Sequence, residues 1–167
     1  MEIILNRRHK NLLKNLTSGS VLNLGSAEGD LHKAISNTEK IGIDIINNSN
    51  VDIVHDLNMY PYPLKRKFDN IIAGGVIEHL DNPTNFLNEC YRLLKDDGRL
   101  ILDTPNISRF HFINHKEHIL GWNIPLLRNL INNRTKFKIE KMYLFSGYGR
   151  NLLFRLIKTT ISCVLIK

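Results

Sequence analysis

Long hydrophobic runs are missing from this chain, cysteine is scarce, and no tract is rich in proline or glycine. No stretch of the 167 residues approaches the ~20 consecutive apolar residues of a membrane-spanning helix. The apolar tail at 151–167 is interrupted by Arg155 and Lys158. The opening Met1-Glu2-Ile3-Ile4-Leu5 is too short for a signal-peptide core and is soon followed by Arg7 and Arg8. Cys90 and Cys163 sit in apolar patterns without partners at metal-ligand spacing. That pattern argues against a disulfide framework and for core thiols of a reducing compartment. Five prolines and ten glycines exclude collagen-like and proline-rich chains, and no internal repeat is visible. These absences predict a soluble, cytoplasmic protein.

What is present fits one domain over residues 1–167, since a hydrophobic content of 43% supplies a sizeable core. The net charge of +7 and pI near 9.5 favour acidic partners. The charge is spread along the chain without a dominant basic run, so solvated surface explains most of it and a nucleic-acid partner is not expected. Nothing in the sequence sets the oligomeric state.

Leu5, His9, Leu12, Leu13 and Leu16 recur at helical spacing and predict an N-terminal helix over about 4–16, inside a leading segment 1–19. Short apolar strands are predicted at 21–24, 40–45, 51–54, 68–73 and 99–104. Between them fall a short helix bearing Leu31, Ala34 and Ile35 and a longer one opened by Asn82-Pro83, with Phe86, Leu87, Cys90, Leu93 and Leu94 on its buried face. This alternation is the pattern of a parallel sheet with helices on both faces. Residues 106–122 lack periodicity and read as a loop over the substrate; a helix at 123–131, a strand at 137–145, a helical turn at 152–157 and a closing strand at 161–166 follow.

The sequence Val21-Leu22-Asn23-Leu24-Gly25-Ser26-Ala27-Glu28-Gly29 reads as strand, tight small-residue turn and helix start, with Asp44 closing the next strand nineteen positions after Gly25. Such a turn brings backbone N–H groups close to a ligand, and a carboxylate at that distance can grip a ribose. The dinucleotide fingerprint G-x-G-x-x-G spaces its outer glycines five apart. Here Gly29 is four after Gly25, and Ala27 holds the middle position. The shorter loop suits a nucleotide without a pyrophosphate.

Together with Ile41-Gly42-Ile43-Asp44-Ile45, Phe68-Asp69-Asn70-Ile71-Ile72, Val76-Ile77-Glu78-His79-Leu80 and Gly98-Arg99-Leu100-Ile101-Leu102-Asp103-Thr104-Pro105-Asn106, the loop resembles a class I S-adenosylmethionine-dependent methyltransferase of the small-molecule type. The resemblance spans about 20–145. It implies an α/β, Rossmann-like doubly wound sheet of seven strands, mostly parallel with the last strand antiparallel. It implies S-adenosyl-L-methionine as cofactor, with Gly25, Ser26, Ala27 and Gly29 lining methionine and ribose, and Asp44, followed by Ile45, taking the ribose hydroxyls. Asp56 and Leu57 would meet the adenine, and Gly74 the methionine moiety. Two positions depart from the family pattern: Asn23 replaces an acidic residue and Ala27 a glycine, which weakens the charge and the close approach expected of this loop.

The implied reaction is methyl transfer to a small-molecule acceptor such as a sugar, a lipid-linked compound or a quinone, through an O or N nucleophile. The positive charge favours a phosphorylated acceptor. An imidazole at His79 can serve as base, or Glu78 and His79 can simply hold the turn after the fourth strand. His115 is the second catalytic candidate, from a segment that also holds His111, His118 and Trp122. Relatives with a Glu-x-x-Glu-His metal set have a glutamate where Gly75 stands, so no metal is expected. The basic amphipathic stretch 150–158 either packs on the sheet or touches a membrane surface. The competing reading is a methyltransferase-like binding module with a weakened cofactor loop.

Overall fold

The computed structural model describes residues 3, 5–27, 29–36, 39–107, 118–146 and 159–167. Its elements run α1 (Arg7–Leu13), β1 (Val21–Leu24), α2 (Asp30–Ala34), β2 (Lys40–Asp44), β3 (Ile53–Val54), β4 (Phe68–Gly74), a 3₁₀ turn (Ile77–His79), α3 (Pro83–Leu93), β5 (Leu94–Pro105), α4 (Ile124–Arg134), β6 (Lys138–Phe145) and β7 (Thr160–Ile166). The strands form one seven-stranded sheet in the order β3-β2-β1-β4-β5-β7-β6. β1 to β5 pair in parallel, and β7 runs antiparallel to both β5 and β6, between which it lies. The doubly wound sheet and its antiparallel last strand match the expectation from the motifs.

The central strands are buried on both faces, which is why they read as continuous apolar runs and not as alternating patterns. Leu22, Leu24, Ile71, Leu100, Leu102 and Cys163 belong to one core, under α3 and α4. Val21, Ile72, Ile101 and Val164 belong to a second, smaller one, with Leu12 from α1 and Leu31 from α2. α3 begins as its sequence dictates: Asn82 accepts from Asn85 N at 2.9 Å and proline occupies the first turn. Phe86, Leu87 and Leu93 are fully buried along it, each contributing about 1.5–3 kcal/mol of transfer free energy.

Several boundaries differ from the sequence reading. α1 is shorter because Asn6 caps it, accepting from His9 N at 2.8 Å. β3 loses residues 51 and 52 because the preceding turn still holds Val51, whose N–H donates to Asn48 O. β5 starts at Leu94, where α3 stops, and a register irregularity separates its pair with Phe68 from the regular ladder at Asn70 and Arg99. The helical turn expected at 152–157 and the basic stretch 150–158 lie outside the described residues. Both cysteines are buried and free, as a core role requires. Among the described residues no helix is long and apolar enough to cross a membrane.

Candidate functional site

Strand order reverses direction of growth between β1 and β4, and a crevice opens beyond the carboxyl ends of strands at such a point. The loop after β1 enters it. Gly25 has φ of 77°, a conformation natural for glycine and strained for other residues. A Cβ built there would stand 2.8 Å from Val76 Cγ2. The N–H groups of Gly25 and Ser26 donate to Ile43 O, and Gly29 N donates to Ser26 O, so the turn is tied to β2 and to itself. Ala27 N donates to Asp44 Oδ2 at 2.9 Å, and Ile46 N donates to Asp44 Oδ1 at 3.0 Å. Each carboxylate oxygen keeps a further lone pair, so Asp44 braces the loop and still has acceptors to offer a ligand.

The other expected cofactor residues divide. Asp56 follows β3 and its Oδ1 accepts from Asn58 N at 2.9 Å. Leu57 is buried within the larger core, whereas Ile45 is 63% exposed. Asn23 faces α2: its Nδ2 is 3.5 Å from His32 Nδ1, and its Oδ1 is buried without a hydrogen-bond partner. Ser26 is buried beneath the loop with its hydroxyl likewise unpartnered.

Beyond β4 the chain builds a second cluster. Glu78 is 2% exposed and accepts from Thr104 Oγ1 at 3.0 Å. Burial raises its carboxyl above the usual range, against the opposing pull of Thr104, His79 and Arg8. The His79 and His118 rings meet edge to face, 4.9 Å between centroids. Glu78, His79 and His118 each bring a potential ligand atom within 4.8 Å of the others, a donor set of mixed N and O character. Glu78 O also accepts from Ile119 N and Leu120 N, and Asn106 pairs with Trp122. These bonds fix His118 beside His79. His111 and His115 lie outside the described residues.

Arg8 is the residue that sequence reasoning missed. It comes from α1, and its Nε donates to Asp103 Oδ1 at 2.7 Å. Its guanidinium lies over Gly74 and Gly75, and a Cβ at Gly74 would sit 3.2 Å from Nη2. A side chain at Gly75 would collide with it. Asp103 is fully buried, and desolvation pushes its carboxyl up to about 6 even though Arg8 pulls the other way. The signal for Arg8 is weak: spacing of apolar residues marks the helix but not that Arg8, Asn11 and Leu12 form its inner face.

Glycine at the tight turn, an acceptor-bearing Asp44 beside it, and glycines under a cation at the end of β4 fit a nucleoside joined to an amino-acid moiety better than a dinucleotide. A family model described as a methyltransferase domain matches residues 2–146. A ubiquinone biosynthesis O-methyltransferase of Dictyostelium discoideum is 28% identical over 113 residues, which is 65% of this chain and 34% of that protein. The chain thus spans about a third of the length of that curated relative. Among solved structures, the methyltransferase in complex with the Trm112 activator of Haloferax volcanii superposes with a TM-score of 0.75 at 13% identity, over 94% of this chain and 87% of that one. The 1,6-didemethyltoxoflavin-N1-methyltransferase of Burkholderia thailandensis, solved with S-adenosylhomocysteine, gives 0.72 at 15% identity, over 96% and 76%. By a family match over most of its length, on the fold those neighbours share, this chain belongs to the methyltransferase-domain family, of the class I S-adenosylmethionine-dependent type.

Proposed function

We propose that the protein binds S-adenosyl-L-methionine and transfers its methyl group to a small-molecule acceptor. The observation that carries this reading is the convergence of three things at one end of the sheet: the loop Gly25, Ser26, Ala27, Gly29; the Asp44 carboxylate that braces it; and the His79 cluster after β4. In this reading Asp44 takes the ribose hydroxyls, since a carboxylate accepts two hydrogen bonds at once. Ile45 and Leu57 flank the adenine and Asp56 takes its amine. Gly74 leaves room for the methionine, and Arg8 faces the methionine carboxylate. The cofactor supplies the reactivity, a methyl group on a sulfonium. The chain holds the acceptor in line with that group and removes its proton.

His79 is the base in this reading, with His118 as a histidine beside it; His115, the second catalytic candidate, lies outside the described residues. The relatives' names point to an oxygen nucleophile on a quinone-like ring. The cluster of Glu78, His79 and His118 also supports a second reading, in which the three hold a divalent cation that lowers the acceptor's pKa. The test is calorimetric titration with S-adenosylhomocysteine, followed by turnover on phenolic and quinol acceptors, with and without added Zn²⁺ or Mg²⁺. Absence of binding at millimolar S-adenosylhomocysteine refutes the enzyme reading in favour of the binding-module alternative. Turnover that requires a cation selects the second reading.

A further inference from the structure

Asp103 stands on β5 opposite Ser162 of β7, which stands opposite Tyr143 of β6. The three make one polar row across the sheet, and α1 is moored to it by polar side chains. Arg8 Nε donates to Asp103 Oδ1 at 2.7 Å, Asn11 Nδ2 donates to Ser162 Oγ at 2.9 Å, and Tyr143 Oη donates to Asn11 Oδ1 at 3.0 Å. Stability alone does not account for Asp103. It is fully buried, its Oδ2 has no hydrogen-bond partner, and a second buried carboxylate, Glu78, bears on it through space. Buried ion pairs are often no more stabilising than well-packed apolar residues, because desolvation consumes the Coulombic gain. Ile101 and Val164, on the same face of the same strands, form the apolar packing that such a position would otherwise hold.

What Asp103 does achieve is to fix a guanidinium. Its Oδ1 is 3.7 Å from a Cβ built on Gly74, and the Arg8 Nη2 is 3.2 Å from that same point. An arginine side chain carries substantial rotamer entropy, and a group already ordered before binding does not lose it on binding. We propose that Asp103 is a positioning residue, holding the Arg8 guanidinium at the end of β4 where it meets the carboxylate of the cofactor's amino-acid moiety. This rests on the cofactor reading above. It also places on β5 a negative charge beside the methionine end that Asn23 does not provide on β1.

The test compares two probes, S-adenosylhomocysteine and 5′-methylthioadenosine, which shares the nucleoside and thioether but has no amino-acid moiety. Affinities are measured by calorimetry for the unaltered chain, Asp103→Asn, Arg8→Met and the double variant, each checked by thermal melting. Each single variant is expected to weaken S-adenosylhomocysteine about tenfold, the double variant no more than Arg8→Met alone, and methylthioadenosine affinity to stay unchanged throughout. Losses that add in the double variant, or an equal loss for both probes, mean that Asp103 acts on the fold and overturn the proposal. An unaffected Asp103→Asn overturns it as well. If the unaltered chain binds neither probe, the cofactor reading itself fails, and this inference with it.

Discussion

Asp44→Ala separates the two tasks given to one carboxylate. Asp44 accepts from Ala27 N and Ile46 N at 2.9 and 3.0 Å. A hydrogen bond to a charged acceptor contributes about 1.5–3 kcal/mol, with the solvent-exposed bond to Ile46 at the low end or below it. Removing both should cost roughly 2–4 kcal/mol of stability, which for a chain of this size lowers Tm by about 4–16 °C. Binding suffers independently, because two ribose hydroxyls lose a charged acceptor, together about 3–6 kcal/mol by the same measure. That is a weakening of about 100-fold or more in Kd for S-adenosylhomocysteine. Asp44→Asn keeps one oxygen acceptor and should fall between. The measurements are a thermal melt and a calorimetric titration on the same preparations. If Asp44→Ala binds S-adenosylhomocysteine within about threefold of the unaltered chain, the ribose assignment is wrong, whatever the melting temperature does.

Gly25→Ala should destabilise by about 1–2 kcal/mol from its positive φ alone, and by more once its Cβ meets Val76 Cγ2 at 2.8 Å; a urea midpoint equal to that of the parent contradicts this. His79→Ala should lower turnover by ~10²–10⁴ if the imidazole removes the acceptor proton, with S-adenosylhomocysteine affinity unchanged. A fall of less than about tenfold returns His79 to a structural role in the turn. Asp69 is held down to about 2 from 3.8, first by the Lys95 ammonium 2.8 Å away, then by the Ser20 N–H and hydroxyl. Its folded pKa is below its unfolded one, so its contribution is complete above pH ~4 and disappears as pH falls towards 2. With the side chain 30% exposed, Asp69→Asn should cost roughly 1–2 kcal/mol at pH 7 after screening, and the two chains should converge in urea melts near pH 2.

How much of this was legible in the sequence depended on how far apart the cooperating residues lie. The loop from Gly25 to Gly29 and the brace at Asp44 belong to one strand-turn-helix-strand unit, and the chain's own connectivity brings them together. Tight-turn chemistry and the buried runs of β1, β2, β4 and β5 announce them. The Asn82-Pro83 start of α3 is a local signal of the same kind. The pairing of His79 with His118 is not, because it depends on Glu78 O receiving Ile119 and Leu120 N–H groups, and nothing in the spacing of the three histidines at 111, 115 and 118 says that His118 returns to the turn after β4. His115 rests on its place in an aperiodic stretch alone and lies outside the described residues.

Arg8 and Asp103 mark the limit of such reading. They are separated by 95 positions, and each looks ordinary where it stands. Arg8 follows an apolar opening as a basic flank, and Asp103 interrupts β5 directly after its apolar run Leu100-Ile101-Leu102. The interruption was the available clue. A carboxylate in the middle of a doubly buried strand cannot stay there without a partner, because desolvation of an unpaired charge costs more than any local preference supplies. Such a residue therefore demands a cation from some other element. Among the described residues α1 is the element lying over that face with an arginine on its inner side, and its polar mooring to Asp103, Ser162 and Tyr143 follows from the same requirement. The expectation of a Leu-faced helix was correct about where α1 is and silent about why, because apolar periodicity records burial while this helix is positioned by its polar residues.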